Sequence, residues 1–329
     1  MALQASGSIS ASQISNEFGL PPGRNLGAYR VSQSVGSLSN LPLDAGIPQS
    51  GSISFSDFYS KRLNIVVDFH SGGTESRQTA RARYDNNNVT VIGGFKTRPS
   101  SGAGSRVIIN VNKNIGSAQG NINNVALRTG SWESNTNLEI VVGPAGTIIG
   151  AGGNGGNGTT DNGGSGTPGT SALGIQYTAT IINQGLIFGG RGGGGGGGGG
   201  RYRRCGKNQR GCKGGNTYSL NGGGGAGGRG FPGGAGGGGG NAGTSGTISA
   251  NGSGGAKQSG EGSQAGFSGS SGAGGAIESP GGNGNTGSGG GSGGAGGSRG
   301  YAIIVSPGAS APYSGSGTLG GSIVTGTPT

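Results

Sequence analysis

The sequence is poor in the residues that build an ordinary protein interior. Of its 329 residues, 29% are hydrophobic and 5% are aromatic, with a single tryptophan. Such a chain cannot form a hydrophobic core of the usual size. Charged residues are scarce too, at 10%, whereas disordered chains of low hydrophobicity are usually highly charged. The composition therefore predicts either a glycine- and serine-rich linker or an ordered fold held by backbone hydrogen bonds.

Residues that support catalysis are also few. The chain has one histidine, His70, and the acidic residues Asp161, Glu261 and Glu278 stand isolated in the glycine-rich region. Neither a GxxxxGK[ST] phosphate loop nor a GxGxxG sequence between a strand and a helix is present. We therefore expect no enzyme activity, no cofactor and no metal site.

Long hydrophobic segments are absent. Residues 1–19 lack the apolar segment of a signal peptide, and no stretch approaches the ~20 apolar residues of a membrane span. We therefore expect a protein made in a cytoplasm and not exported through a cleaved signal. The net charge of +11 favours anionic partners such as nucleic acid, phosphorylated glycans or anionic polysaccharides.

Residues 1–62 contain an internal repeat. The segment SGSISASQI (Ser6–Ile14) matches SGSISFSDF (Ser50–Phe58). Each copy predicts an extended piece followed by a short helix, with Ser12 or Ser56 as the N-cap. The repeat therefore predicts a small N-terminal module, which is either a local cap or a docking module for a larger assembly.

Residues 63–150 have the pattern of β-strands. Short segments rich in β-branched residues are separated by Gly, Asn and Ser turns, which predicts an antiparallel β domain. Trp132 lies in this region, and we expect it in the core rather than in a ligand site. The strand-like segments are LNIVVDF, NVTVIGGF, RVIINV, NVALRTG and NLEIVVG.

Residues 151–329 are dominated by glycine. The chain has 89 glycines, and several runs place one at every third position, as in 224–239 and 281–296. Three residues per turn is the period of polyproline II, and a stripe without side chains would let backbones pack closely. The period predicts a glycine-rich bundle of packed polyglycine II helices, with exposed loops where the phase resets and with C-terminal strands. The predicted fold class is thus mostly β plus polyglycine II.

A basic segment interrupts the glycines. Residues 201–213 concentrate positive charge without an acid among them, and tyrosines lie nearby. Arginines beside aromatics suit phosphate or carboxylate recognition and stacking on sugar faces, whereas the alternative is a solvated loop that aids solubility. The candidate binding residues, here and in neighbouring loops, are Arg201, Tyr202, Arg203, Arg204, Lys207, Asn208, Gln209, Arg210, Lys213, Tyr218, Phe231, Lys257 and Phe267.

The two cysteines, Cys205 and Cys212, enclose six residues of this segment. No His, Asp or Glu lies between or beside them, so a zinc site would need ligands from far away. A disulfide would pre-order the basic loop, and two free thiols are the alternative.

Two parts of the sequence resemble bacteriophage tail proteins. LPLDAGIPQSGSISFSDFYSKR, with the earlier SGSIS copy, is similar to the N-terminal segments of phage tail proteins. NLEIVVGPAGTIIGAGGNGGNG and IINQGLIFGGRGGGGGGGGG resemble the glycine-rich terminal regions of phage tail fibres, and the period-three runs are similar to those of T-even-type distal-fibre adhesins. The resemblance covers residues 1–62 and 138–329.

This resemblance implies a receptor-binding adhesin of the virion tail, made in the host cytoplasm. Residues 1–62 would attach to other tail proteins, and the loops would bind a host-surface glycan, lipopolysaccharide or outer-membrane protein. A single copy on a trimeric fibre and a homotrimer are both open. The alternatives are a structural tail or baseplate protein without receptor contact and an RNA-binding protein, because GGRGG and GGRGF resemble RGG segments. With the adhesin hypothesis we expect no nucleic-acid partner.

Overall fold

The N-terminal part of the chain forms a small module of short elements. Its elements are helix α1 (Ala11–Phe18), two 3₁₀-helices (Leu26–Tyr29 and Phe55–Phe58) and an antiparallel hairpin of β1 (Ser32–Val35) and β2 (Leu38–Pro42). The computed structural model describes residues 3–18, 23–30, 32–35, 38–42, 47–48, 50–61, 64–69, 75–76, 78–80, 106–132, 134, 136–204, 216–256, 258, 280–288 and 291–329.

The two copies of the repeat are capped in the same way. The N–H of Ser10 donates to Oε1 of Gln13 at 2.7 Å, and the N–H of Ser54 donates to Oδ2 of Asp57 at 2.7 Å. These are capping-box contacts, which need an acceptor side chain three residues after the cap. The predicted caps at residues 12 and 56 are therefore wrong by two positions, because only the earlier serines have that acceptor.

An aromatic cluster holds the N-terminal module together. The rings of Phe18, Tyr29 and Phe58 have centroids 5.5–6.3 Å apart. All three side chains are buried, and burial of such large rings dominates the stability of a small core. Each ring comes from a different helix, so the cluster joins the two copies of the repeat.

Three parallel five-stranded sheets form the main body of the molecule. The first contains, in spatial order, β3 (Asn64–Phe69), β6 (Arg106–Val111), β9 (Asn137–Val142), β12 (Ala179–Asn183) and β17 (Tyr313–Ser314). The second contains β4 (Glu75–Ser76), β7 (Asn114–Gly116), β10 (Thr147–Ile149), β13 (Leu186–Phe188) and β18 (Thr318–Gly320). The third contains β5 (Gln78–Thr79), β8 (Val125–Arg128), β11 (Ser171–Ile175), β16 (Ile303–Val305) and β19 (Ile323–Thr325).

The order of these strands along the chain is that of a three-sided β-solenoid. The chain visits the first, second and third sheets in turn and then returns to the first, where it pairs in parallel with its own previous turn. Ile109 thus pairs with Val67 on one side and Ile140 on the other. Isoleucine, leucine and valine side chains from all three sheets fill the interior.

The predicted antiparallel β domain is wrong. Every pairing in the three sheets is parallel, because strands adjacent in sequence lie in different sheets. The first sheet is also buried on both faces: Val67 and Ile109 point into the solenoid, whereas Val66 and Ile108 pack against the N-terminal module. Such strands form continuous apolar runs, which is typical of parallel sheets. The predicted placement of Trp132 in the core is confirmed.

Glycine-rich segments leave the solenoid at one corner, between the second and third sheets. Residues 150–170 connect β10 to β11, and residues 189–302 connect β13 to β16 in the next turn. We call the described residues of these two insertions the glycine-rich module. Both insertions start and end on the solenoid, so the module is part of the same body as the strands on either side.

Backbone hydrogen bonds join the segments of the glycine-rich module at intervals of three residues. Gly190, Gly193 and Gly196 donate their N–H groups to the carbonyl oxygens of Thr170, Thr167 and Gly164 at 2.8–3.0 Å. On another side, residues 153 and 156 donate to residues 191 and 194. These bonds satisfy backbone groups that would otherwise be buried without partners.

The structure gives no evidence for the predicted bundle of polyglycine II helices. In the described part of residues 151–329, no residue belongs to a helix, and the glycine-rich segments lie outside helices and sheets. The observed fold is β-rich, with parallel sheets as its frame and hydrogen-bonded glycine-rich segments as insertions. The period of three in the sequence corresponds to the spacing of the hydrogen bonds between segments.

Candidate functional site

The glycine-rich module has an inner end at the solenoid and an outer end away from it. The segment 189–199 begins beside Thr170, next to β11, and ends where the N–H of Gly199 donates to the carbonyl oxygen of Asp161. The ends of the neighbouring segments that are farthest from the solenoid also lie there. Turns at the outer end include residues 159–162 and 240–241, and residues 287 and 291 also lie there. Turns at the inner end include residues 231–232 and 247–250.

A two-stranded hairpin stands at the outer end. It consists of β14 (Gly200–Arg204) and β15 (Asn216–Leu220), which pair in antiparallel register with Tyr202 opposite Tyr218 and Arg203 opposite Thr217. Its strands continue the glycine-rich segments that start at residue 189 and end at residue 230. Residues 201–204 of the basic segment therefore lie in strand β14, and residues 205–213 lie outside the described part of the chain.

Two of the described side chains of this hairpin are open to solvent. Tyr218 is 42% exposed, and the side chain of Arg201 is 58% exposed. Oδ1 of Asp161 lies 3.9 Å from Nη2 of Arg201, and the Asp161 side chain is exposed as well. A pair of this kind contributes little to stability, because water competes for both charges. The guanidinium of Arg201 is thus available to another anion at low cost.

Three of the other predicted site residues lie in the described hairpin, and most of the rest lie outside the described part of the chain. Tyr202, Arg203 and Arg204 are placed by their backbone in β14. The predicted residues outside the described part of the chain are Cys205, Lys207, Asn208, Gln209, Arg210, Cys212, Lys213, Lys257 and Phe267.

Phe231 lies at the inner end of the glycine-rich module. Its ring is in the space beside Gly116 that a Cβ atom would need, and its carbonyl oxygen accepts from the N–H of Ser117 at 3.0 Å. Its own N–H donates to Gly150 at 3.0 Å. These contacts attach the module to strand β7. A receptor contact by Phe231 stays a prediction.

Three arginines that are distant in sequence come together at the inner end, a cluster that the sequence does not predict. Arg191, Arg229 and Arg299 all place their guanidinium groups near the ring of Phe188, the last residue of β13. Burial, and then the charges of the other two arginines, lower the pKa of Arg191, and burial lowers the pKa of Arg229. The sequence signal was the set of isolated arginines in otherwise uncharged glycine runs.

The described ranges contain neither a metal-binding cluster nor a membrane-spanning helix. No three His, Cys, Asp or Glu residues there come together in a way that could hold a metal ion. Within those same ranges, no helix is long and apolar enough to cross a membrane.

A β-solenoid that carries an exposed basic and aromatic hairpin at the end of a glycine-rich module defines a binding protein that presents loops from a rigid support. The particular family follows from sequence comparison: the model of the phage tail fibre adhesin Gp38 matches residues 75–324, and the chain belongs to that family. It is a receptor-binding adhesin of the virion tail. The family is one of adhesins, so its role is attachment.

Among solved structures, the chain is similar to the gp37-gp38 adhesin tip complex of the bacteriophage S16 long tail fiber. The two are 22% identical, with a TM-score of 0.41, and the match covers 97% of this chain and 99% of that one. No curated protein sequence matches the chain.

Proposed function

We propose that the outer end of the glycine-rich module binds the host receptor and that the receptor presents anionic groups or sugars. The observation that carries this proposal is the β14–β15 hairpin, which holds basic and aromatic residues at the end of the module away from the solenoid. Arginine forms bidentate bonds with phosphate and carboxylate, and tyrosine rings stack on sugar faces. Phosphorylated lipopolysaccharide and acidic capsule have both chemistries.

The glycine-rich module supports this role as a rigid carrier. Its segments are joined to each other by regular backbone hydrogen bonds, so the residues that precede β14 and follow β15 are held in place before the receptor binds. Pre-organised binding groups lose less entropy on association than mobile ones. Variation in the outer turns would then change specificity without altering the support.

We also propose that the N-terminal module attaches the protein to its tail partner. The apolar residues of this module, such as Phe18 and Phe58, are used against the chain's own first sheet. Phe55, in the second copy of the repeat, is 42% exposed and is the candidate contact. Replacing Phe55 by Ser should release the protein from tails while the purified protein stays folded.

Finally, we propose that binding occurs without cleavage of the receptor. The family role favours this interpretation, and so does the sequence, which offers isolated acids and one histidine. Incubation of host lipopolysaccharide or capsule with the protein should leave its chain length unchanged. A shortened polysaccharide would contradict the proposal.

The main experiment is competition for phage adsorption. Purified full-length protein is added to host cells before the phage, and free phage are counted. Adsorption should fall with protein concentration and should recover when the hairpin arginines are replaced. Undiminished adsorption at saturating protein would count against receptor contact by this chain.

A further inference from the structure

Three guanidinium groups surround one aromatic ring at the inner end of the glycine-rich module. The Cζ atoms of Arg229, Arg191 and Arg299 lie 4.7, 5.4 and 5.9 Å from the ring centroid of Phe188. Phe188 is buried and ends strand β13. Cation–π attraction draws each guanidinium to the ring, but the three like charges repel one another.

The three arginines come from separate segments of the chain. Arg191 lies three residues after the end of β13, Arg299 lies four residues before β16, and Arg229 belongs to the segment that returns from the hairpin. The N–H of Arg191 donates to the carbonyl oxygen of Arg229 at 2.8 Å, and the Nε of Arg229 donates to Ile248 at 2.7 Å. The positions of the charges are therefore fixed by the backbone.

Arg191 is the most deeply placed member of the cluster. It is 8% exposed, and within the described ranges no acceptor lies within hydrogen-bonding distance of its Nε atom. Its pKa is lowered by burial and then by the charges of Arg229 and Arg299. A buried cationic donor without an acceptor is costly, so the cluster favours an added anion.

Two glycines of the last solenoid turn make room for the cluster. The Phe188 ring occupies the space that a Cβ on Gly320 would need. At Gly321, where φ is +135°, a Cβ would come within 2.5 Å of Nη2 of Arg299. The cluster is therefore seated on strand β18 and the turn after it.

We propose that this cluster is a binding site for a phosphate-type oxyanion, held by Arg191 and Arg229 with Arg299 beside them. Guanidinium groups present paired N–H donors that match the oxygens of phosphate. Arg299 makes a further interaction, so the proposal rests on the first two arginines. A bound phosphate would join two glycine-rich segments to the end of β13.

This site is distinct from the proposed receptor surface, since it lies at the opposite end of the glycine-rich module. Its ligand has two possible sources with the same chemistry. One is free inorganic phosphate, bound where the protein folds, and the other is a phosphate ester on a host-surface sugar. Arg229 and Arg299 are partly exposed, so an ion in solution can reach the cluster.

The test is thermal unfolding of the full-length protein in increasing inorganic phosphate, with chloride adjusted to keep the ionic strength constant. A ligand that binds only the folded state raises Tm, and at ten times its Kd we expect a saturable increase of about 2 °C. Glucose 1-phosphate is titrated in parallel. A shift with phosphate alone supports a free-ion site, and a shift with both supports a site that accepts a phosphate ester.

Variants separate the site from general salt effects. Arg229→Gln should lose the phosphate-dependent shift, whereas Arg201→Gln, which removes an exposed arginine at the outer end, should keep it. An equal shift in the wild type and Arg229→Gln would overturn the proposal, and so would no shift with either ligand. If Arg229→Gln does not fold, ³¹P line broadening of phosphate by the wild-type protein, reversed by sulfate, tests the same site. Unbroadened signals would overturn it.

Discussion

The carbonyl oxygen of Asn154 lies against Gly193, in the space that a Cβ atom on Gly193 would occupy. Gly193 is also bonded through its own N–H to Thr167 at 3.0 Å, so it cannot move away without breaking that bond. The same relationship recurs along the segment, where glycines three residues apart meet neighbouring carbonyl groups. Glycine is therefore required at these positions by backbone packing.

Replacing Gly193 by Ala should destabilise the protein by about 3 kcal/mol, at the upper end of the range for overpacking, because the obstacle is backbone and not a mobile side chain. Tm measured by calorimetry checks this. Gly230→Val and Gly233→Val should be at least as damaging, since their side chains would meet the backbone of Gly152 and Gly246.

Gly238→Ala is the matched control for this prediction. A Cβ there would have Asn157 Oδ1 at 3.5 Å as its neighbour, which is ordinary contact. Its stability should change little, or rise slightly, because alanine restricts the unfolded chain. If Gly193→Ala were as stable as Gly238→Ala, close packing of the glycine-rich module would be refuted.

The receptor proposal predicts separate effects on binding and folding. Replacing Arg203, Arg204 and Arg210 together by Ala should leave Tm unchanged and weaken competition for phage adsorption about tenfold, equivalent to about 1.4 kcal/mol. The loss should be smaller at high salt, because screened charges contribute less.

A control of equal charge comes from the rest of the chain. Arg24, Lys61 and Arg128 lie in the N-terminal module and the solenoid, away from the hairpin. Their triple replacement by Ala should retain full competition. Equal weakening by both triple variants would show that net charge, and not the hairpin, attracts the protein to cells.

Strands β3, β6, β8 and β9 could be predicted from the sequence, but their arrangement could not, and the predicted segment NVTVIGGF lies outside the described residues. NIVVDF and RVIINV were correctly predicted as strands, yet they are separated by more than thirty residues and pair in parallel. Short β segments with turns between them suggest hairpins, and nothing local indicates that the chain changes sheets at each turn. The best signal in the sequence was a continuous apolar run: Val66 and Val67 are adjacent and both apolar. In the structure both are buried, on opposite faces of the sheet, which is typical of parallel sheets.

The basic charge of the hairpin can be seen in the sequence, but the arginine cluster at the inner end cannot. The basic hairpin is contiguous in sequence, so its charge is visible in a single segment. Arg191, Arg229 and Arg299 meet around Phe188 only because the segments between them fold outward and return. A cluster built from such distant positions depends on topology, which the glycine pattern does not specify.

Phe231 tests whether an aromatic residue of the glycine-rich region serves folding or binding. Its ring covers Gly116, so Phe231→Ala should leave a gap at the base of the module and lower stability by about 2 kcal/mol, less than a fully buried ring would. Phe231→Leu should restore most of the Tm. A normal Tm combined with lost adsorption would instead make Phe231 a receptor contact.

Tyr29 should make the N-terminal module sensitive to alkaline pH. Its side chain is 2% exposed, and burial raises its pKa above the ordinary value of 10.0, although a hydrogen bond with Ser15 acts in the opposite direction. The folded-state pKa exceeds the unfolded-state pKa. The stabilisation is therefore complete below the unfolded-state pKa and is lost as the pH rises through the folded-state pKa. Tyr29→Phe has no ionisable group at this site, so its Tm should fall less steeply than that of the wild type above about pH 10. Absorbance of tyrosinate followed alongside Tm assigns the transition, and parallel pH profiles for the two proteins would contradict the prediction.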